Sequence, residues 1–312
     1  MPLTRPSATL SPDVKTSGAR GRKNQVSRPV TPIKGAAMSQ RTILISGCSS
    51  GIGLEAATML KARGWRVLAT ARKPDDLRRL ENELGVEAFE MELSDLKSVN
   101  ACADAVLAKT GGKIGALYNN AAYGVIGAME DITGEVLRKH LDVNVVGTHE
   151  LTRRIIPAMR AQGHGRIVTC SSVLGLVSGP FRGPYCASKF AVEAMTDALR
   201  YELIGSGIHV SLLEPGPIKT QFLPSTLATF KATIDVARSP HKAAYAKRLA
   251  AMESDTASKM KLGPEAVVKK LILALESPNP KARYMISPHT YVAATLRRVL
   301  PGRVLDMVLG RS

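Results

Sequence analysis

The stretch SGCSSGIG occupies residues 46–53 and decides how the chain is expected to fold. It follows the apolar run TILIS at 42–46 and precedes a helical pattern that begins near Ile52, runs to Arg63 and ends at Gly64, a residue type that caps helices. Glycines at such a turn let backbone N–H groups approach a pyrophosphate, and the helix N-terminus adds partial positive charge. The stretch therefore predicts a dinucleotide-binding turn, with a purely structural connection as the alternative.

Short apolar or β-branched runs alternate with longer helical stretches through the rest of the chain. This alternation is typical of repeated strand–helix–strand units on a parallel sheet. The sequence therefore predicts an α/β fold, a Rossmann-type doubly wound parallel β-sheet with helices on both faces, in a single domain. The strands are predicted at 42–46, 66–70, 86–91, 114–118, 166–170, 208–213 and 282–286.

The first 38 residues differ in composition from the rest of the 312-residue chain. They are rich in Pro, Ser, Thr and Arg and lack apolar periodicity, so they bury too little surface to offset the entropy of ordering. Seven basic residues against one Asp give this segment a charge of +6, out of +17 for the chain. We predict that 1–38 is a disordered basic tail; the alternatives are a transit peptide or an overextended start before Met38.

Two further segments are set apart from the main domain, which is predicted at 39–288. Residues 221–262 form a long stretch of mixed character after the sixth strand, which is typical of a substrate lid. Residues 289–312 alternate apolar residues with arginines and predict one or two short amphipathic helices. We expect no nucleic-acid binding, because no helix-turn-helix, zinc-finger or aromatic RNA-binding signature accompanies the basic tails. Peripheral membrane contact is the alternative for these tails.

The distribution of cysteine, histidine and apolar residues bears on metals and on compartment. The four cysteines lie far apart without a CxxC pair or clustered His, so neither a disulfide framework nor a metal site is predicted. His140 and His149 are expected to be packing or surface residues without a role. No apolar run approaches the roughly 18 residues that span a membrane. We expect a cytoplasmic protein, with organelle targeting by the N-terminal tail as the alternative.

Tyr185 and Lys189 form the pattern YxxxK on a predicted helix. Residues four apart face the same side of a helix, so the phenol lies beside an ammonium that favours the phenolate. Ser172 stands just after the strand at 166–170, where a hydroxyl is suited to bind a substrate oxygen. A turn or N-cap role is the alternative for Ser172. Together the three side chains predict acid–base chemistry at a substrate oxygen.

Other polar groups follow predicted strands or interrupt an apolar helix. Asn144 lies among apolar residues of a predicted long helix, where Asn is unfavourable, so its amide is expected to have a function. Asn119 and Asn120 follow the fourth strand. The run PGPIKT at 215–220 closes the sixth strand as a rigid turn, whose backbone and Thr220 hydroxyl are suited to grip an amide group.

In this order the motifs resemble the classical short-chain dehydrogenase/reductase family, over about residues 41–222. The resemblance implies a nicotinamide-dependent oxidoreductase in which Tyr185 is the general acid/base and Ser172 orients the substrate oxygen. It implies that Lys189 binds the nicotinamide ribose and tunes Tyr185, and that Asn144 holds a proton-relay water. The cofactor site that it implies consists of Gly47, Ser49, Ser50, Gly51, Ile52, Gly53, Arg72, Lys73, Glu92, Leu93, Asn120, Ala121, Tyr185, Lys189, Pro215, Gly216, Ile218 and Thr220.

The sequence departs from the family pattern at two positions on the adenine side. Ala122 stands where the family has Gly, and Glu92 stands where the family has Asp. These changes concern adenine binding and leave the chemistry untouched. The run ATARK at 69–73, together with the long lid, is similar to the steroid- and retinol-dehydrogenase-like branch of the family.

The end of the second predicted strand bears on the choice of cofactor. In NAD enzymes of this architecture an acidic residue there binds the adenosine ribose, whereas this chain has Ala71. Arg72 follows, and a guanidinium pairs well with a 2′-phosphate. Asp75 and Asp76 come after Pro74 and are expected in the first turn of the next helix. We therefore expect NADP(H) to be preferred, with NAD(H) as the alternative.

The expected substrate is a lipophilic secondary alcohol, aldehyde or ketone, because apolar side chains lie beside the catalytic motifs. The alternative function is a catalytically idle regulatory or scaffold protein that binds the dinucleotide. Family members commonly pair through their long helices, so we expect a homodimer or homotetramer formed by 133–160 and 185–203. The apolar wall of the substrate site is predicted to contain Leu174, Leu176, Phe181 and Phe222.

Overall fold

The computed structural model describes residues 41–253 and 261–310, so the predicted tail at 1–38 lies outside the described residues. Seven strands form one parallel sheet, close to the seven predicted positions. The strands are β1 (Thr42–Ile45), β2 (Arg66–Ala71), β3 (Glu87–Glu90), β4 (Ala116–Asn119), β5 (Gly165–Cys170), β6 (Ile208–Glu214) and β7 (Arg283–Met285). Their order is β3-β2-β1-β4-β5-β6-β7, which confirms the predicted Rossmann-type doubly wound sheet.

Helices cover both faces of the sheet. They are α1 (Gly51–Ala62), α2 (Pro74–Asn82), α3 (Leu96–Thr110), α4 (Gly134–Leu141), α5 (Thr148–Gln162), α6 (Gly183–Glu202), α7 (Phe222–Thr233), α8 (Lys242–Glu253), α9 (Pro264–Glu276), α10 (Pro288–Val299) and α11 (Gly302–Leu309). The helix α1 begins one residue before the predicted start, and Gly64 beyond its end has a φ of 79°, as the predicted left-handed cap requires.

Each face of the sheet has its own apolar core. In β1, Ile43 and Ile45 contribute to one core and Leu44 to the other, as the alternation of side chains along a strand requires. The first core is completed by α1 and α9, and the second by α3 and α5. Strand order reverses between β1 and β4, and ligands bind at the carboxyl ends of strands beside such a switch point.

The predicted long helix around Asn144 is two helices. The π-helical turn Asp142–Gly147 separates α4 from α5 and carries Asn144 into the interior, where it is 2% exposed. Gly147 permits the close approach that this turn makes to the chain after β3, because a Cβ there would lie 2.1 Å from the Leu93 carbonyl oxygen. The apolar pattern predicted the helical character and missed the interruption.

The segment predicted as a lid contains α7 and α8, which the sequence pattern did not resolve. A third apolar cluster lies between these helices and the chain near 126–132. Asp131 connects α8 and the residue Ser239 before it to the chain near 126–132. Its carboxylate accepts hydrogen bonds from Ser239 Oγ at 2.7 Å and from Tyr245 Oη at 2.5 Å. Tyr245 Oη in turn accepts a hydrogen bond from the Ala128 N–H at 2.8 Å. The lid helix is therefore held to the body of the domain by a buried polar contact.

Arg283 of β7 ties the edge of the sheet to α6. Its guanidinium pairs with Glu193 and Asp197 of α6 and, at 2.7 Å, with Glu214 at the end of β6. Glu193 and Glu214 are buried, and burial raises the pKa of both carboxyl groups while Arg283 opposes that increase. We call Arg283, Glu193, Asp197 and Glu214 the Arg283 network. Its residue Glu193 lies one helical turn after Lys189 on α6.

The chain after β7 forms α10 and α11. The exposed side of α10 carries Tyr291, Val292 and Val299, and α11 buries none of its residues. Met307 on α11 is 57% exposed. Within residues 41–253 and 261–310, no helix combines the length and the apolar character that crossing a bilayer requires.

Candidate active site

The glycine turn adopts a conformation that only glycine tolerates well. Gly47 and Gly51 have φ values of 74° and 58°, in the left-handed region. A Cβ on Gly53 would lie 2.1 Å from the Gly47 carbonyl oxygen and 2.6 Å from Asn120 Nδ2. Ser49, Ser50 and Ile52 stand between these glycines, so the predicted loop residues come together at the N-terminus of α1. The turn therefore presents backbone and helix-end positive charge, which suits phosphate oxygens.

Asn120 joins the glycine turn to the end of β4. Its Nδ2 donates to the carbonyl oxygens of Ser46 at 3.0 Å and Gly47 at 3.2 Å. Ser46 Oγ accepts hydrogen bonds from the backbone N–H groups of Asn120 at 2.9 Å and Ala121 at 3.0 Å. Asn120 and Ala121 thus lie against the loop, as the order of motifs predicts, and Asn120 holds its shape.

The ends of β2 and β3 bring Arg72 and Glu92 together. Their side chains form an ion pair at 3.2 Å, with the Arg72 side chain 68% exposed. Burial opposes ionisation of Glu92, but hydrogen bonds from Ser94 and the charge of Arg72 outweigh it and lower the pKa of Glu92. Lys73 is the exposed N-cap of α2, whose first turn contains both acidic residues, as predicted. Leu93 is buried beside the π-helical turn.

Tyr185 and Lys189 share one side of α6 and meet Ser172 at the end of β5. Lys189 Nζ lies 5.7 Å from the centre of the Tyr185 ring and donates to the Cys170 carbonyl oxygen at 2.7 Å. Burial lowers the pKa of Lys189. Ser172 Oγ accepts a hydrogen bond from the Leu174 N–H at 3.1 Å, so it caps a short turn as well as facing Tyr185.

Burial governs the ionisation of Tyr185 among the protein's own groups. The sequence predicts that Lys189, together with the positive ring of an oxidised nicotinamide, favours the phenolate; burial by itself raises the pKa of Tyr185 well above its usual range. A hydrogen bond from Ser172 acts in the opposite direction and does not outweigh burial. The ammonium is directed to a backbone carbonyl, so desolvation of the phenol dominates. Tyr185 is therefore a protonated phenol at neutral pH.

Asn144 contacts the loop after β4 with its amide. The Asn144 Oδ1 accepts a hydrogen bond from the Tyr123 N–H at 3.1 Å, and its Nδ2 donates to the Tyr123 carbonyl oxygen at 2.9 Å. Nδ2 also lies 3.3 Å from Ser188 Oγ, which donates to the Tyr185 carbonyl oxygen at 2.8 Å. Asn144 is thus linked to Tyr185 through Ser188.

The turn after β6 lies opposite the glycine turn. The Pro215 carbonyl oxygen accepts a hydrogen bond from the Val173 N–H at 2.8 Å, which fixes the turn beside Ser172. Gly216 allows the chain to pass Ser287, because a Cβ would lie 2.1 Å from Ser287 Oγ. Ile218 pairs with Leu262 in an isolated parallel bridge. The two turns border a cleft of about 410 Å³ that is lined by Gly51, Lys219, Thr220 and Gln221.

The side chains of the predicted apolar wall lie in two different places. Phe222 contacts Tyr185, with ring centres 5.3 Å apart. Phe181 has a φ of 64° and turns toward the lid, where its ring lies 5.4 Å from that of Tyr245. Leu174 and Leu176 are half-buried in the segment after Ser172. Phe222 therefore lies beside Tyr185, whereas Phe181 packs into the cluster formed with α7 and α8.

Sequence reasoning missed two charged or titratable side chains at the site. Arg79 of α2 hydrogen-bonds the Ser49 carbonyl oxygen in the glycine turn. His140 of α4 is fully buried, in agreement with the predicted packing position, and it lies beside Asn144 and Tyr185, which the sequence did not indicate. The spacing of four between His140 and Asn144 was the available signal, since such residues share one side of a helix.

Comparison with known proteins agrees with this geometry. The family model described as short chain dehydrogenase matches residues 41–229. The chain is 42% identical to the uncharacterized oxidoreductase YbbO of Escherichia coli strain K12, over 89% of this chain and 97% of that protein. It is 33% identical to human 17-beta-hydroxysteroid dehydrogenase type 1, over 79% and 77% of the two chains.

A solved structure gives the same result. The fold is similar to a short-chain dehydrogenase/reductase from Burkholderia phymatum in complex with NAD, with a TM-score of 0.69 and 27% identity over 86% of this chain and 94% of that chain. The family match covers the glycine turn, the ends of β4 and β5, and α6. The chain therefore belongs to the short-chain dehydrogenase/reductase family, whose members are oxidoreductases that act on CH–OH groups with NAD(P).

Proposed function

We propose that this protein is an NADP(H)-dependent oxidoreductase that interconverts a lipophilic secondary alcohol with a ketone, or a primary alcohol with an aldehyde. The observation that carries the proposal is the meeting of Tyr185, Lys189 and Ser172 beside the glycine turn. The cradle fits a dinucleotide, since Gly53 leaves no room for a side chain where backbone N–H groups must face a pyrophosphate. The bound nicotinamide supplies or accepts the hydride.

In this proposal Tyr185 is the general acid/base. A phenol is protonated at neutral pH and burial raises its pKa further, so Tyr185 holds a proton that it can donate to a carbonyl oxygen during reduction. Ser172 donates a hydrogen bond to the same oxygen as negative charge develops on it. Lys189 binds the nicotinamide ribose and stabilises the tyrosinate that remains. Asn144 holds the π-helical turn in place and positions a proton-relay water.

The substitution Tyr185→Phe tests this assignment. We expect it to lower kcat by at least about a hundredfold, because only the transferable proton is lost. The Kd of the reduced cofactor, measured by fluorescence titration, is expected to stay within about twofold of the wild-type value. Turnover is measured by nicotinamide absorbance in a screen of carbonyl compounds. A variant as active as the wild type would contradict the assignment and favour the dinucleotide-binding scaffold function instead.

The preference for NADP(H) is proposed from the end of β2. Ala71 offers no carboxylate to the adenosine ribose, and the exposed Arg72 guanidinium is available to a 2′-phosphate. Glu92 holds Arg72 near this position, so the pair is expected to open when the phosphate binds. Lys73 adds positive charge next to it. The remaining cofactor contacts are proposed for Leu93 and for the 215–220 turn.

The double variant Ala71→Asp, Arg72→Ser measures the cofactor preference. We expect the wild type to have a higher kcat/KM with NADPH than with NADH, and the variant to shift the ratio of the two toward NADH by at least about tenfold. Lys97→Ser, an exposed change on α3, is the control. Preference of the wild type for NADH, or an unchanged ratio in the double variant, would overturn the proposal.

The lipophilic substrate, the assembly and the compartment complete the proposal. Phe222 and the lid cluster give the site apolar walls.

A homodimer or homotetramer through α4, α5 and α6 is proposed from the family resemblance. Peripheral membrane contact is proposed for α10 and α11, because their exposed apolar side chains lie beside arginines. The compartment is proposed to be the cytoplasm.

A further inference from the structure

His140 is a buried titratable residue that the proposed reaction does not use. It lies in the last turn of α4 and has no exposed surface. Its Nδ1 is buried without a hydrogen-bond partner among the described residues. An aliphatic or phenyl side chain would fill the same interior position without that cost. Packing alone therefore does not account for an imidazole at this position.

The contacts of His140 reach both parts of the site. Its Nε2 lies 3.3 Å from Asn144 Nδ2, the amide that also donates to the Tyr123 carbonyl oxygen. The imidazole ring stands edge-on to Tyr123, with ring centres 5.0 Å apart. On its other side the ring faces Tyr185, with centres 6.3 Å apart. His140 therefore lies between the π-helical turn, the loop after β4 and the start of α6.

These contacts fix the charge state that His140 needs. The Asn144 amide has two hydrogens and three neighbouring acceptors, which are the Tyr123 carbonyl oxygen, Ser188 Oγ and His140 Nε2. Nε2 can share in this donation when the ring is neutral with its proton on Nδ1. The titratable groups that face the ring are Tyr123, Tyr185 and, on α6, the Lys189 ammonium. Burial and then Lys189 lower the pKa of His140 to about 4, while the Pro184 carbonyl opposes this. His140 is therefore a neutral acceptor at physiological pH.

We infer that His140 is a positioning residue, which sets the places of Asn144 and Tyr185 by accepting from the Asn144 amide and packing against both tyrosine rings. The inference rests on the proposed function, because it assigns His140 an effect on the proton transfer by Tyr185. Small displacements of a proton donor reduce turnover strongly, by up to about a hundredfold for 1 Å. The effect of His140 is therefore expected in kcat.

Two substitutions at this position separate positioning from packing. His140→Phe keeps the ring and removes the acceptor, and we expect kcat to fall between about tenfold and a hundredfold. The melting temperature is expected to be unchanged or higher, because a buried unpaired nitrogen is removed. His140→Gln keeps an acceptor oxygen, and we expect it to restore most of the rate. His149→Phe, at an exposed position of α5, is the control and is expected to be neutral.

The outcomes are distinguishable from failure of the proposed function. If Tyr185→Phe abolishes turnover while His140→Phe retains the wild-type kcat, the inference about His140 is wrong and the proposed function stands. If both His140 variants lose rate and melting temperature equally, the role is structural and the inference is also wrong. If Tyr185→Phe remains active, the proposed function is wrong, whatever the His140 variants show. A fall in kcat in His140→Phe with rescue in His140→Gln supports the inference.

Discussion

At the scale of single residues, the glycine turn shows how the absence of a side chain lets two backbone segments and an amide lie against one another. Gly53 is the most constrained of its glycines, because the place of its Cβ is already occupied by the Gly47 carbonyl oxygen and the Asn120 amide. The same amide closes the turn by donating to Ser46 and Gly47. The spacing of the glycines predicted a tight turn between β1 and α1. The role of Asn120 in holding the shape of that turn was not predicted, because it depends on contacts between residues that are 67 or more positions apart.

The substitution Gly53→Ala is expected to damage binding and stability together. The new methyl group must displace backbone or the Asn120 side chain, which typically costs about 1–3 kcal/mol in a well-packed interior. We expect a lower melting temperature and a Kd for NADPH that is raised by at least about tenfold, measured by fluorescence titration. Gly134→Ala is the matched control, since nothing lies within 4 Å of its Cβ. Equal behaviour of the two variants would refute the steric argument.

At the scale of helices and strands, periodicity predicted the elements and tertiary contact altered them. The seven strands were predicted because each combines apolar residues with a following turn. The break between α4 and α5 was missed, because it depends on the approach of Gly147 to the Leu93 carbonyl. The lid helices were missed because their apolar faces meet a separate cluster around Phe230 and Tyr245. The contribution of burial to the Tyr185 pKa was not predicted, since burial is a property of the packed elements.

The Arg283 network makes a prediction about the packing of β7 on α6. In Arg283→Met the carboxylates of Glu193 and Glu214 stay buried without their guanidinium, which typically destabilises a protein by about 3 kcal/mol at neutral pH. The folded-state pKa of both groups is already raised by burial and rises further in the variant. Stability is therefore lost as pH rises above the unfolded pKa of Glu, and it recovers as pH falls.

The measurement is denaturant unfolding of the wild type and of Arg283→Met at pH 5 and at pH 8. We expect the difference in the free energy of unfolding between the two proteins to be smaller at pH 5 than at pH 8. Arg66→Met is the control, because the Arg66–Glu87 pair lies on the surface and contributes little. A pH-independent loss, or a loss no larger than that of Arg66→Met, would mean that the network is not a source of stability.

At the scale of the whole molecule, the described sheet is made entirely of residues 42–285. The carboxyl ends of β1 and β5 place the glycine turn on the same edge of the sheet as Ser172 and the YxxxK helix, which follow it by more than 100 residues in sequence. The order of motifs predicted this assembly, because parallel strands place their carboxyl ends at one edge. The segment 221–262 did not follow the alternation of strands and helices, so its helices α7 and α8 were not predicted.

A chain that begins at Met38 is expected to fold and react as the full chain does. Every described strand and every proposed catalytic residue lies after this position. We expect the melting temperature to stay within about 2 °C, which corresponds to about 1 kcal/mol for a domain of this size, and kcat to be unchanged. The measurement is thermal unfolding and turnover of both chains. A large loss in either quantity would show that residues 1–37 pack on the domain.

The position of Arg283 near the end of the chain has a consequence for biosynthesis. Proteins emerge from the ribosome N-terminus first, so β6 and α6 are complete before β7 exists. During that interval β6 is an open sheet edge, the kind of edge that pairs with other chains. Glu193 and Glu214 lack their guanidinium partner during that interval. The arrival of β7 supplies Arg283 and covers the β6 edge in the same step.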